Sequence, residues 1–345
     1  MNNFSYNLQA HNRAFIEKLM IKKSSFKPAW WLKSPHLQTM AAKILRRKES
    51  IEVITETVEL PDGDFVDLAW TEDPTLHPDK PIVYVLHGLE GSIDSHYAKG
   101  MMGSIKKRGW VGLLMHFRGC SGRPNRQGPS YHSGDTWDVH YCTELLIQRF
   151  PQREFAILGF SLGGNVLAKF LSENTQTPYK SAAIICAPLH LKSCSYRISK
   201  GFSKVYQKYL VDMLRDSTKI KVDLNLLPNI EKSDLDKITT LFEFDEKVTA
   251  PINGFDSADD YYAKASGLQV LHEIKHPTLI IHALDDPFLC HDYVQEITSD
   301  NNNLQVELSD HGGHVGFITG GNPFKPVYWL EHRVLDFIAE RFSKK

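Results

Sequence analysis

Apolar and polar residues alternate across residues 51–72: Val58 and Leu60 flank Glu59, and Val66, Leu68 and Trp70 are separated by Asp67 and Ala69. Such alternation on either side of Pro61-Asp62-Gly63-Asp64 predicts two antiparallel strands joined by a turn. Beyond residue 80 the pattern changes to short, almost unbroken apolar runs at 82–86, 111–115, 155–158, 182–185 and 278–281. Runs of that length belong to parallel strands covered on both faces. Between and after them apolar positions recur every three or four residues, as at Val139, Cys142, Leu145, Leu146 and Phe150, and at Leu330, Val334, Leu335 and Ile338. That spacing predicts helices with one buried stripe. Strand alternating with helix gives an α/β fold: a mostly parallel central sheet with N-terminal antiparallel strands and helices on both faces.

Two regions break the rhythm. Residues 1–50 read as a helical and extended lead-in. Residues 188–250 are rich in Lys, Tyr and Asp, show helical periodicity without a strand, and read as an inserted helical cap. No repeat or long linker divides the chain, so residues 1–345 are expected to form a single domain.

Charge narrows the choice of partner. Lys and Arg total 40 against 41 for Asp and Glu, a net charge of −1. Without a basic surplus a nucleic-acid partner is not expected. No stretch reaches the roughly 18 consecutive apolar residues that span a bilayer, so no integral membrane segment is expected either. The opening Met1-Asn2-Asn3-Phe4-Ser5-Tyr6-Asn7 lacks the charged and apolar regions of a signal peptide. The five cysteines, Cys120, Cys142, Cys186, Cys194 and Cys290, form no C-x-x-C pair. They indicate neither a disulfide framework nor a thiolate metal site, and a cytoplasmic location is expected.

The chemistry concentrates in a few short segments. Gly159-Phe160-Ser161-Leu162-Gly163 lies between an apolar run and a helical stretch, the strand–turn–helix setting of a nucleophile elbow. A serine needs a histidine within hydrogen-bonding reach, itself oriented by a carboxylate. Downstream, Asp285-Asp286-Pro287-Phe288 follows one strand, and Ser309-Asp310-His311-Gly312-Gly313-His314 follows another. Ser, Asp, His is the chain order of α/β-hydrolases. Adjacent residues leaving a strand point to opposite sides, so only one acid reaches the imidazole. Asp286, before the Pro-Phe turn, is favoured over Asp285, and His314, after two glycines, over His311. Backbone N–H groups of Leu162 and of Leu89, within His87-Gly88-Leu89-Glu90-Gly91-Ser92, are the candidates for an oxyanion hole.

Three other features have plainer readings. His272-Glu273-Ile274-Lys275-His276 matches the zinc-protease H-E-x-x-H, but Pro277 disfavours a helix at His276 and no third ligand is evident. Lys200, Lys204 and Lys208 share a helix face with Val205, Tyr206, Tyr209 and Leu210 roughly opposite; a solvated cap helix is favoured over a weak membrane-surface contact. His36, His116 and His132 lack ligand spacing and are expected to be structural or near-site hydrogen bonders.

Several of these motifs together resemble the YheT-like branch of the α/β-hydrolase superfamily. They are Pro35-His36-Leu37-Gln38-Thr39, His87 to Ser92, Arg118-Gly119-Cys120-Ser121-Gly122 with Pro124-Asn125, Tyr131-His132-Ser133-Gly134, Gly159 to Asn165, Pro251-Ile252-Asn253-Gly254-Phe255 and His311 to Phe317. The resemblance runs from about residue 30 to the C-terminus. It implies the α/β-hydrolase fold, acyl-ester chemistry on apolar acyl groups, and a triad at Ser161, Asp286 and His314. The expectation is a serine hydrolase of short- to medium-chain carboxylic esters that needs no metal or organic cofactor and whose partner is a small-molecule acyl ester. An acyltransferase using the same triad, or a silent hydrophobic-ligand-binding relative, are the alternatives.

Overall fold

The computed structural model describes residues 21–46, 49–290, 293 and 301–343; the reading of residues 1–7, and that of residues 1–20 as part of a lead-in, lie outside them. Strands β2 (Ile54–Glu59) and β3 (Phe65–Trp70) form the hairpin written in the alternation, with Val58 opposite Val66. The near-continuous apolar runs become β4 (Ile82–Leu86), β5 (Val111–His116), β6 (Phe155–Phe160), β7 (Tyr179–Ile185) and β8 (Thr278–Ala283). Every residue of β4, β5, β6 and β8 is buried, which is why these strands show no alternation. With β1 (Ile21–Lys23) and β9 (Leu304–Ser309) they make a nine-stranded sheet ordered β1-β9-β8-β7-β6-β4-β5-β3-β2. All neighbours are parallel except β2 with β3 and β3 with β5. The sheet thus turns antiparallel at the edge made by β3 and β2, while β1, the first strand, lies parallel at the other edge.

The helices follow the three-to-four spacing. They are α1 (Pro35–Leu45), α2 (His96–Lys107), α3 (Trp137–Arg149), α4 (Leu162–Glu173), α5 (Leu191–Ile198), α6 (Lys204–Asp223), α7 (Ala258–Ala265) and α8 (Trp329–Ala339), with shorter turns between. Helix α4 packs on β6 and β7, while α2 and α8 pack on the sheet and on each other. Between β7 and β8 the chain remains helical to Glu273, past the 250 suggested by composition. Ala258, Tyr261, Tyr262 and Ala265 of α7 close on Leu191 at the start of α5, so the later segment packs with the earlier one. Fully buried Asn165 of α4 ties it down: its Nδ2 donates to Ser133 O and Ala265 O, at 2.7 and 2.8 Å, and its Oδ1 accepts from Gly267 N–H at 2.8 Å.

A charged cluster fixes the loop after β5. Arg118 donates to both carboxylate oxygens of Asp138, at 2.8 and 2.7 Å, and to Asp62 at 2.6 Å. Fully buried Asp64 accepts from Asn125 Nδ2 at 2.6 Å and Arg126 N–H at 2.9 Å. The hairpin turn, the 118–126 loop and the start of α3 are thereby joined. Removing the guanidinium leaves Asp138 buried without its cation, so Arg118→Met is expected to lower unfolding stability by about 3–5 kcal/mol in urea titrations. A loss under about 1 kcal/mol would mean that the cluster is an exposed ion pair in effect.

Candidate active site

Strand β6 ends at Phe160 and α4 begins at Leu162, leaving Ser161 alone on the turn with φ 50° and ψ −121°. Such a backbone costs a non-glycine residue about 1–3 kcal/mol and persists only where its surroundings over-determine it. Here Ser161 N–H donates to Ile185 O at 2.8 Å, and Ser161 O accepts from Gly164 N–H at 2.9 Å. The turn is also tight. A Cβ on Gly163 would stand 2.3 Å from the His87 carbonyl oxygen and 2.7 Å from that of Leu86, so the end of β4 lies backbone against backbone on the elbow.

That contact positions the His87–Ser92 turn. His87 is fully buried; its Nδ1 lies 2.7 Å from Gly88 O and its Nε2 accepts from Phe117 N–H at 3.0 Å. One nitrogen donates and the other accepts, which is the neutral imidazole. Burial pushes its pKa down to about 3. Tyr97 Oη accepts from Gly88 N–H at 2.8 Å and Tyr131 Oη from Glu90 N–H at 2.7 Å. The hydrogen bonds among the described residues leave the N–H groups of Leu89 and Leu162 unused, and both residues line the cavity with Ser161 and His314.

His314 comes from the loop after β9. Its Nε2 is 3.0 Å from Ser161 Oγ and its Nδ1 is 2.8 Å from Asp286 Oδ2. The Phe288 ring stacks on the imidazole, with centroids 4.0 Å apart and planes at 14°. Asp285 leaves β8 to the other side. Its Oδ1 accepts from Gly313 N–H at 3.0 Å and its Oδ2 lies 3.2 Å from His311 Nδ1. Burial raises its carboxyl above the usual range, against the hydrogen bonds that favour the carboxylate. The structure therefore pairs Asp286 with His314 and Asp285 with His311.

Helix α1 supports the histidine loop, a task that the sequence did not reveal. Thr39 Oγ1 accepts from His314 N–H at 2.9 Å. Buried Gln38 donates from Nε2 to Leu32 O and Ile318 O, at 2.8 and 3.0 Å, and its Oε1 accepts from Ile318 N–H at 2.7 Å. A Cβ on Gly316 would lie 2.4 Å from Gln38 O. The motif at 35–39 was visible by resemblance, yet Gln38 and Ile318 are 280 residues apart, and no local pattern marks such a contact.

The remaining histidines take other places. His116 accepts from Ile93 N–H at 3.1 Å, His132 from Gly134 N–H at 3.1 Å, and His36 lies 3.1 Å from Tyr206 Oη. In the H-E-x-x-H segment the turn 268–273 gives way to extended backbone at Ile274. His276 is buried and 2.8 Å from Thr177 Oγ1 while His272 is exposed, so the two share no helix face.

Above Ser161 lies a cavity of about 940 Å³. Leu191, Leu210, Met213, Phe244, Val248 and Phe288 contribute apolar walls. Glu90 ties the turn after β4 to the cap: Tyr131 Oη donates to Oε1 at 2.9 Å and Ser217 of α6 donates to Oε2. Lys221, one turn further, donates to Gly128 O at 2.8 Å and Ser130 Oγ at 2.6 Å.

A parallel sheet with an elbow serine, and an acid and a histidine on later loops, is the architecture of the α/β hydrolases. The chain belongs to that family: residues 81–321 match the family model for the alpha/beta hydrolase fold. It is 43% identical over 325 residues to the Escherichia coli (strain K12) protein YheT, provisionally named an esterase, covering 93% of this chain and 95% of that one. It is 31% identical over 257 residues to a Saccharomyces cerevisiae monoacylglycerol lipase, covering 71% of this chain and 57% of the yeast protein. The Pyrococcus furiosus esterase Pf2001 shares the fold at 17% identity, with a TM-score of 0.55 over 86% of this chain and 94% of that one. Among the described residues no helix is long and apolar enough to cross a membrane.

Fully buried His282, on β8 close to Asp286, has its pKa pushed down to about 4 by burial. Between that value and the ordinary 6.5 the unfolded chain binds a proton that the native state refuses, so this residue's contribution to stability falls as pH drops through that window. Relative to the wild type, His282→Leu is expected to gain about 2 kcal/mol between pH 7.5 and pH 5 in urea titrations. An unchanged difference at the two pH values would contradict a neutral buried imidazole.

Proposed function

We propose that this chain is a serine hydrolase that cleaves carboxylic esters with short- to medium-length acyl chains. The observation that carries the reading is the continuous hydrogen-bonded line Ser161 Oγ, His314 Nε2, His314 Nδ1, Asp286 Oδ2, at 3.0 and 2.8 Å, at the floor of a cavity with apolar walls. Ser161 Oγ attacks the acyl carbonyl while His314 Nε2 accepts its proton. Asp286 keeps Nδ1 protonated and stabilises the imidazolium that forms. The N–H groups of Leu89 and Leu162 receive the oxyanion, and the stacked Phe288 holds the ring plane. His314 returns the proton to the leaving alkoxide. Water, activated by the same nitrogen, then releases the acid and regenerates Ser161.

The lipase named among the relatives supports an acyl substrate, and the Leu, Met and Phe walls suit an aliphatic chain. Hydrolysis of a p-nitrophenyl ester series from short to long acyl chains, with wild type and Ser161→Ala side by side, tests the reading. Activity should peak at one chain length and fall by about 10⁴-fold or more in the variant. Equal rates in the two proteins would remove Ser161 from the reaction.

A further inference from the structure

Two stretches of this chain carry positive charge and no acid. Residues 33–46 hold Lys33, Lys43 and Arg46, and residues 196–209 hold Arg197, Lys200, Lys204 and Lys208, in a chain whose net charge is −1. Arg46 is buried against Glu331; the lysines are exposed. The fold sets the two stretches side by side. Lys43 Nζ donates to Tyr209 Oη at 3.1 Å, the His36 ring lies 4.5 Å from that of Phe202, and His36 Nδ1 lies 3.1 Å from Tyr206 Oη.

This seam is also a rim of the cavity over Ser161. Met40 and Ile44 of α1 and Val205 and Tyr209 of α6 line that cavity yet remain open to solvent: Ile44 is 71% exposed, Val205 54% and Tyr209 51%, and neighbouring Phe202 is 52% exposed. Of the four residues read as lying roughly opposite the lysines, α6 buries Tyr206 and leaves Leu210 half-buried, while Val205 and Tyr209 are exposed beside Lys204 and Lys208. Of the rim lysines Lys208 is paired with Asp212 at 2.6 Å, whereas no ion pair among the described residues holds Lys33, Lys43, Lys200 or Lys204, and nearby Asp94 is taken up by Lys99 at 3.1 Å.

Solvation accounts for the lysines but not for the aliphatic and aromatic side chains set among them. A surface that is anionic at its face and apolar just beneath satisfies both, with lysines on headgroups and Ile44, Phe202, Val205 and Tyr209 at the acyl boundary. We propose that this rim docks on an anionic lipid surface, so that an acyl ester passes from the lipid layer into the cavity without crossing bulk water. The docking stands apart from the nucleophile assignment, because binding is read without turnover.

The test is sedimentation of the full chain with vesicles of phosphatidylcholine alone and with added phosphatidylglycerol, at low and high salt. Phe202→Ser and the double variant Lys200→Glu/Lys204→Glu, all outside the cavity lining, are compared with wild type, with a short water-soluble ester as a check on folding. The wild type should bind the phosphatidylglycerol vesicles and release in salt. Each variant should bind roughly tenfold more weakly while cleaving the soluble ester, or keeping its unfolding transition, as the wild type does. Absence of wild-type binding to the anionic vesicles at low salt would overturn the proposal. So would binding that the charge reversal abolishes but Phe202→Ser leaves intact, which would reduce the rim to a polyanion contact such as an acidic protein makes.

Discussion

The site depends on one backbone constraint: Ser161 is held at φ 50° where β6 turns into α4, with no room beside it for a side chain on Gly163. A strained turn is kept only by rigid neighbours. Ser161 N–H is anchored to Ile185 at the end of β7, and the His87 carbonyl at the end of β4 abuts Gly163. The strands flanking β6 in the sheet therefore clamp the elbow from both sides. The same contact sets the His87–Ser92 turn against the elbow, and Leu89 and Leu162 line one cavity with Ser161.

A second clamp closes from the far end of the chain. His314 sits on a loop whose glycines admit the backbone of α1, with Thr39 accepting from its N–H and Gln38 gripping Ile318. The imidazole is thus fixed by Asp286 at Nδ1, by Phe288 across its face and by α1 behind its main chain. Preorganisation of this kind is what the proposed general base requires, since a flexible histidine would have to reorient first. Buried neutral His87 plays the matching part in the turn after β4, where an imidazole carrying a second proton would lose the bond from Phe117 N–H.

Much of this was legible in the sequence because its causes are local. Doubly covered strands have continuous apolar runs, and the elbow needs glycines at fixed offsets from Ser161. Alternation of side chains leaving β8 lets only one of Asp285 and Asp286 reach His314, and the place of Asp286 before the Pro-Phe turn favours it. What escaped was long-range. The grip of Gln38 on Ile318, the ties of Asn165 to the Ser133 and Ala265 carbonyls, and the packing of Tyr261 and Tyr262 with Leu191 join segments far apart in the chain. They leave no periodic trace. Spacing sets Val205, Tyr206, Tyr209 and Leu210 opposite the lysines of α6, but only the tertiary fold decides that Tyr206 is buried while Val205 and Tyr209 are open at the cavity rim.

The central claim is that Ser161 is a nucleophile activated by His314. Reaction with a fluorophosphonate, followed by mass mapping of the adduct, tests it without knowledge of the substrate. The account predicts one adduct on the peptide holding Ser161 in the wild type, and labelling slowed by at least about a hundredfold in His314→Asn, where the general base is absent. An adduct on another residue, or labelling at Ser161 that is indifferent to His314, would contradict it.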